Sequence, residues 1–167
     1  MILPKRNKIY KNKKINFLHL KYNNIIHLKP SGFWYSCHND WYNWIIKIKI
    51  LHFLHKYIHK INLCKNIMTN IHNKDKNKLL VIKTMKDFDI FNKRYRIEDN
   101  TYSLINWKIV AKDYGGIEIC PFISKRKNYI WYSSWDVASG CIWNIKSIIK
   151  NTELIYEKKK NKYVKVK

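Results

Sequence analysis

The amino acids with G/C-rich codons are confined to two short windows of this 167-residue chain. The sequence has 30 Lys, 27 Ile and 19 Asn, which all have A/T-rich codons. Each Trp, Gly, Ala or Pro that persists in such a chain is therefore expected to have a physical reason to do so. Of these 16 residues, five lie at positions 30–44 and ten at positions 107–143. We predict that the two windows meet in space, in a shared core or cleft.

The size and composition of the chain suit one domain. The residues are 46% hydrophobic and 15% aromatic, which is sufficient for a core. No stretch approaches the roughly 20 apolar residues of a membrane span, and the first residues lack a secretory signal pattern. We therefore expect an intracellular protein without a membrane partner. None of the four Cys forms a Cys-x-x-Cys pair, so we expect free thiols packed as small hydrophobic groups.

Short strand patterns and short helix patterns are mixed along the chain without regular alternation. Thr84 and Asn106 are predicted helix N-caps, and Asn39 or Asp40 is predicted to begin a helix that carries two tryptophans. That helix either continues after residue 50 or gives way to a strand at residues 57–63. Further strands are predicted at residues 33–36, 79–82, 117–119 and 130–132. This mixture predicts an α+β fold.

Basic residues are concentrated towards the two ends of the chain. The net charge of +23 divides into +14 for residues 1–80, +3 for residues 81–145 and +6 for residues 146–167. We predict one domain over residues 15–150, a basic disordered arm at residues 1–14 and a Lys-rich tail at residues 151–167. Drift towards A/T-rich Lys codons is one explanation of the charge. The other is that the arm and the tail bind nucleic acid through phosphate contacts that weaken with salt.

An aromatic strand follows a predicted turn at residues 29–32. Its sequence is Trp34-Tyr35-Ser36, and the next predicted helix adds the tryptophans at positions 41 and 44. Flat aromatic side chains beside a polar group suit the stacking of a base or a nicotinamide ring. We therefore predict Trp34 and Tyr35 as ligand-binding residues. A corner of the hydrophobic core is the alternative interpretation.

Glu118 interrupts an apolar strand pattern. It lies between Ile117 and Ile119 and follows Gly115 and Gly116. Because side chains alternate along a strand, Glu118 is predicted on the opposite face from both isoleucines, towards solvent or a cleft. We predict a cleft position with a functional role, and a plain surface charge is the alternative.

Residues 131–144 combine three Trp and three Ser with small residues and one Asp. Small residues allow a backbone to approach a ligand, and a Ser-Gly turn can present amide groups to an anion. We therefore predict Trp135, Asp136, Ser139 and Gly140 as ligand-binding residues. Close structural packing is the alternative.

Three histidines have the spacing of metal ligands on a helix. His52, His55 and His59 would share one face of a continuous helix. Their neighbours are ordinary and the segment lies outside both windows, so we predict no metal site. The phosphate-binding loop, dinucleotide-binding and nucleophile-elbow patterns are absent from the sequence.

A set of short motifs occurs in a fixed order between residues 29 and 144. They are Lys29-Pro30-x-Gly32-x-Trp34-Tyr35-Ser36, Ile105-Asn106-Trp107, Gly116-Ile117-Glu118-Ile119-x-Pro121 and Trp131-Tyr132-x-x-Trp135-Asp136-x-Ala138-Ser139-Gly140-Cys141-x-Trp143. In these motifs the chain resembles a family of mostly uncharacterised proteins of large DNA viruses, including amoebal ones, and of some phage and microbial genomes. The resemblance implies a viral-type protein of the host cytoplasm or the virion.

The order of four residues is also similar to that in ADP-ribosyltransferases. Those enzymes use a His or Arg on an early strand, an aromatic-Ser strand and a Glu on a later strand. The likeness implies NAD as a ligand, catalytic roles for Glu118, His27 and Ser36, and stacking of Tyr35 on nicotinamide. Our first hypothesis is therefore an enzyme acting on a nucleotide or a nucleotide-bearing substrate. The second is a non-catalytic, basic protein associated with nucleic acid or the virion.

Overall fold

The structure is a computed structural model that describes residues 1–17, 22–24, 26–97, 104–160 and 162–166. The helices are α1 (Asp40–Lys47), α2 (Met85–Tyr95), α3 (Trp107–Asp113), α4 (Ile130–Ser133) and α5 (Ile145–Ile148), with 3₁₀ turns at Leu51–Phe53 and Ser124–Arg126. The strands are β1 (Arg6–Tyr10), β2 (Ile26–His27), β3 (Phe33–Cys37), β4 (Tyr57–Leu63), β5 (Met68–Thr69), β6 (Asp75–Ile82), β7 (Ile105–Asn106), β8 (Tyr114–Ile119), β9 (Ser139–Ile142), β10 (Ile149–Lys159) and β11 (Lys162–Lys165). The predicted α+β class is confirmed. No helix in these ranges is long and apolar enough to cross a membrane.

Nine of the described strands form one mixed sheet in the order β11-β10-β4-β1-β3-β9-β8-β6-β5. Neighbours pair antiparallel, except that β6 pairs parallel with both β5 and β8. Strands β2 and β7 form a separate two-stranded sheet. The first strand of the chain thus lies in the middle of the large sheet, between β4 and β3.

Helices α2, α3 and α4 cover part of one face of the sheet, which we call the helical face. Leu80, Ile82, Ile117 and Ile119 project from this face into a core. The helices supply the aromatic side chains of the same core, namely Phe88, Phe91, Tyr95, Trp107, Trp131 and Tyr132. Burial of this much aromatic surface is the main stabilising contribution available to a domain of this size.

Helix α1 covers a second part of the helical face. Ile45 of α1 packs with Leu3, Ile9 and Ile58 in a separate buried cluster. The opposite face of the sheet has its own cluster, which includes Phe33, Tyr35, Leu79, Val81, Ile142 and Ile148. The helical face therefore carries two cores side by side.

The predicted helix starts at Thr84 and Asn106 are confirmed. The Thr84 hydroxyl accepts a hydrogen bond from the Asp87 amide, and the Asp87 carboxylate accepts one from the Thr84 amide. Asn106 Oδ1 accepts from the Ile109 amide at 3.1 Å. These bonds satisfy amide groups that the first turn of each helix leaves without partners.

The basic ends of the chain form strands, which corrects the predicted disordered arm and tail. Within residues 1–14, β1 pairs with both β3 and β4, and its Asn7 and Ile9 are buried. Within residues 151–167, β10 pairs with β4 and β11. The prediction was wrong because frequent lysines hid a strand pattern whose partners are distant in sequence.

The strand predicted at residues 130–132 is also wrong, because this segment is helix α4. Trp131 and Tyr132 are adjacent and both buried in the same core. Consecutive side chains of a strand point to opposite faces, so a strand could not place both in one cluster. The strand at residues 57–63 is confirmed as β4, and α1 ends before Lys49, which has a left-handed φ of 60°.

Candidate functional site

The candidate site is a cavity of about 690 Å³ where the sheet divides. β1 and β3 pair at Arg6–Cys37 and Asn7–Ser36. After Asn7, β1 continues alongside β4, whereas β3 runs alongside β9. The residues that line the resulting opening are Lys8, Ile9, Tyr10, Lys11, Lys29, Trp34, Trp41, Trp44, Ile45, Phe53, His55, Trp135 and Asp136. The cavity thus lies between the two cores of the helical face.

Four tryptophans form the walls of the cavity. Trp34 of β3 and Trp135 make an edge-to-face contact, with ring centroids 4.8 Å apart. Trp41 and Trp44 are three positions apart on α1 and therefore share one side of that helix. The Trp41 amide donates to Ser36 Oγ at 3.1 Å, which fixes the start of α1 against β3. Trp34, Trp41 and Trp44 are each partly exposed, so their rings remain accessible.

Three lysines place positive charge at these aromatic walls. Lys8 Nζ lies 5.1 Å from the ring centroid of Phe33 and 5.5 Å from that of Trp41. Lys29 Nζ lies 5.6 Å from the ring centroid of Trp34, and Lys11 is exposed at the edge. Burial lowers the pKa of Lys8 to about 8, so its ammonium is less stable here than in water. An anionic ligand would restore the favourable interaction.

The indole of Trp135 supplies a hydrogen-bond donor without a partner. The residue is 2% exposed, and its Nε1 has no acceptor among the described residues. An unsatisfied buried donor is destabilising by about 1–3 kcal/mol, and native structures contain few of them. The next residue, Asp136, has a left-handed φ of 60° and also lines the cavity. An acceptor atom of a ligand would satisfy this donor.

The structure brings three of the predicted ligand-binding residues together and separates them from the others. Trp34, Trp135 and Asp136 all line the cavity. Tyr35 lies on the opposite face of the sheet, in the cluster with Phe33. Ser36 is buried, and its hydroxyl bonds to backbone groups of Cys37 and Trp41. Neither Tyr35 nor Ser36 lines the cavity.

Glu118 lies in the protein interior, which corrects its predicted position in a cleft. It does lie on the opposite face from its two isoleucine neighbours, but that face is covered, and its side chain is only 1% exposed. Arg6 donates to both carboxylate oxygens, from Nε at 2.6 Å and from Nη2 at 2.9 Å. The Tyr35 hydroxyl donates to Oε2 at 2.6 Å. The prediction was wrong because the arginine partner lies 112 positions earlier in the chain.

The surroundings of this buried group favour a charged pair and a neutral phenol. Burial alone would lower the pKa of Arg6, but the hydrogen bonds and the negative charge of Glu118 raise it. Burial, followed by the charge of Glu118, raises the pKa of Tyr35 well above its ordinary value. The Tyr35 proton therefore stays on the phenol, where it stabilises the carboxylate.

Ser139 and Gly140 belong to strand β9 and not to a ligand-binding turn. They pair with Ser36 and Tyr35 on one side and with Ile119 and Glu118 on the other. A Cβ atom on Gly140 would overlap the ring and hydroxyl of Tyr35. Gly140 is thus needed for the packing of Tyr35 beneath Glu118, which is a structural reason for a glycine in this window.

The first and second windows meet, as predicted. β3 pairs with β9 along its length, Tyr35 bonds to Glu118, and Trp34 contacts Trp135. The contacts comprise both a core and a cavity. The clustering of Trp and Gly in the sequence therefore marked residues that pack on one another across the sheet.

The histidines do not provide a catalytic or metal-binding cluster in the described chain. His27 lies in β2, in the small sheet, and its side chain lies outside the described part of the structure. His52 lies in a 3₁₀ turn, His55 in the following loop and His59 in β4, so the continuous helix considered above does not exist. His55 lines the cavity alone among them.

Sequence reasoning missed the contribution of the N-terminal segment to the cavity. Lys8, Tyr10 and Lys11 line it from β1, and Phe53 lines it from a 3₁₀ turn. The alternation of Ile9 with polar neighbours is the signal that indicated a strand. It was obscured by the lysines around it. No family model, curated protein or solved structure matches the chain.

Proposed function

We propose that the cavity binds a nucleotide, with the base against the tryptophan walls and a phosphate near the three lysines. The observation that carries this proposal is the meeting of four tryptophans, three lysines and an unpaired indole donor at one opening. Aromatic faces stack on any base, and lysine is a common phosphate-binding side chain. The volume is within the usual range for small-ligand sites, about 300–1,000 Å³.

The charge of the cavity favours an anion over a cationic ligand. Aromatic walls with an acidic residue also suit quaternary ammonium groups. Here, however, Lys8 and Lys29 already occupy positions close to ring faces, and Asp136 is the one acidic side chain of the lining. A second cation would be repelled by these ammonium groups, whereas a phosphate would be attracted.

The proposal is for binding, and the residues first considered for catalysis do not support an enzymatic version. Glu118 is enclosed by Arg6 and Tyr35, and Ser36 is used by the backbone of α1. Neither residue lines the cavity. A nucleotide in the cavity would be recognised by Trp34, Trp41, Trp44 and Trp135 instead.

Replacing a wall tryptophan by leucine is expected to weaken binding of AMP by at least about tenfold. Base–aromatic stacking contributes about 1–3 kcal/mol, and leucine keeps apolar volume without a flat ring. Calorimetric titration of the wild type and of Trp41→Leu and Trp44→Leu measures this. The matched control is Phe122→Leu, because Phe122 is a partly buried aromatic residue stacked on Tyr132 outside the cavity lining. Absence of AMP binding by the wild type, or equal affinity in all four proteins, would contradict the proposal.

Binding of AMP is expected to weaken as the pH rises through about 8. In this range the Lys8 amine, whose lowered pKa is about 8, loses the charge that attracts phosphate. Above pH 7 the phosphate of the ligand is already ionised and does not contribute to the change. Lys11, Lys29, Tyr10, His55 and Asp136 are the other titratable groups of the lining.

The lysine is tested by two substitutions at the same position. Lys8→Arg keeps the charge at high pH and should flatten the affinity profile between pH 7 and pH 9. Lys8→Met should bind weakly across the whole range. A wild-type profile that is flat, or one that Lys8→Arg leaves unchanged, would assign the phosphate to another group.

A further inference from the structure

A second cavity adjoins the first along the continuation of β1. It has a volume of about 430 Å³ and is lined by Lys13, Lys14, Ile15, His59, Thr152 and Leu154. The first cavity is lined by residues up to Lys11 of the same segment. Because an extended chain covers about 3.5 Å per residue at most, Lys14 lies within about 11 Å of Lys11. The two cavities are therefore neighbours on the surface.

The segment between the cavities is held against the sheet. The Asn12 carbonyl and His59 Nε2 are 3.1 Å apart, within hydrogen-bond distance. Tyr10 makes an edge contact with the His59 ring, with centroids 6.3 Å apart. Residues 11–14 are all exposed. Their lysines are thus fixed in a row along one path and open to solvent.

Positive charge is nearly unopposed along this path. The linings of the two cavities contain five lysines, at positions 8, 11, 13, 14 and 29, and Asp136 is their one acidic residue. Glu153 lies between Thr152 and Leu154 on β10, so strand alternation directs it to the other face, where it pairs with Lys60 at 3.6 Å. A chain of phosphates would match the path better than a single phosphate would.

We infer that the ligand is a single-stranded nucleic acid, with one base in the tryptophan cavity and the adjoining phosphates along Lys11, Lys13 and Lys14. This inference rests on the proposed nucleotide site and extends it to the neighbouring units of the strand. Single strands bind where a basic groove follows the backbone and aromatic side chains stack on bases. A duplex keeps its base faces stacked on one another and cannot offer one to the cavity without unpairing.

The test compares AMP with an oligoadenylate single strand and with a duplex of the same length, by calorimetry or fluorescence over a range of salt concentrations. The single strand is expected to bind at least tenfold more tightly than AMP and more tightly than the duplex. The double variant Lys13→Gln/Lys14→Gln should lose this advantage and bind AMP unchanged. Its salt slope for the single strand should fall by about 1.4, because each phosphate contact contributes about 0.7.

The matched control is Lys162→Gln/Lys165→Gln, which removes the same charge from exposed positions of β11. It should keep almost all of the affinity for the single strand. If AMP binds but the single strand binds no more tightly, or the duplex binds equally well, the inference is overturned and the nucleotide site stands. Equal losses in the two double variants would reduce the effect to overall charge and overturn it too. If neither AMP nor the strand binds, the proposed function itself fails.

Discussion

Replacing Glu118 by Ala is expected to lower the free energy of unfolding by about 3–5 kcal/mol. The substitution leaves the Arg6 guanidinium, which is 9% exposed, without the carboxylate that accepts both of its hydrogen bonds. It also leaves the Tyr35 hydroxyl without its acceptor. A loss of this size is a large share of the 5–15 kcal/mol that holds a typical domain folded.

An exposed pair of the same geometry provides the control. Arg126 donates to both oxygens of Asp89, at 2.7 Å and 2.6 Å, and both side chains are partly open to solvent. Asp89→Ala should lower stability by about 1 kcal/mol or less, because water screens the charge that remains. Urea unfolding of the wild type and the two variants measures the difference. Equal losses at the two sites would mean that burial of Arg6 does not matter.

Replacing Trp131 by Ala is expected to lower the free energy of unfolding by about 3–5 kcal/mol as well. Trp131 is fully buried and stacks on Phe88, with ring centroids 5.0 Å apart, and it contacts Trp107 edge-on at 5.8 Å. Its Nε1 donates to Asn92 Oδ1 at 2.9 Å, so the variant also leaves a buried amide oxygen without that partner. The cavity left by an indole ring is too large to be filled by small shifts of its neighbours.

Trp44→Ala separates a core tryptophan from a cavity tryptophan. Trp44 is partly exposed in the wall of the tryptophan cavity, so its removal should lower stability by about 1 kcal/mol. The same denaturation experiment compares the two variants. A loss at Trp44 as large as that at Trp131 would show that α1 depends on this ring for packing and would weaken the case for an open binding wall.

Local signals in the sequence predicted the parts of the fold that depend on neighbouring residues. Thr84 and Asn106 begin helices because their side chains bond to amides three positions ahead. The clustering of Trp and Gly also indicated which segments meet, since β3 and β9 pair directly. Trp34, Trp135 and Asp136 were predicted as a ligand-binding group and do line one cavity.

The parts that the sequence did not predict depend on register between distant strands. Glu118 is buried because β1 places Arg6 beside it, and the separation of 112 positions leaves no local trace. The cavity exists because β1 and β3 stop pairing after Asn7. The lysines of β1 and β10 resemble those of a solvated tail until their pairing with β4 is known.

The place of β1 in the sheet has a consequence for the order in which the chain folds. In the sheet order, β1 alone joins the strands β11, β10 and β4 to the strands β3, β9, β8, β6 and β5. It precedes all of them in the chain and leaves the ribosome first. A nascent chain must therefore keep this strand unpaired until β3 and β4 have emerged, and the two halves close around the oldest part of the polypeptide. Shortening the protein before Asn12 would divide the sheet, so any truncated form has to begin with β1 intact.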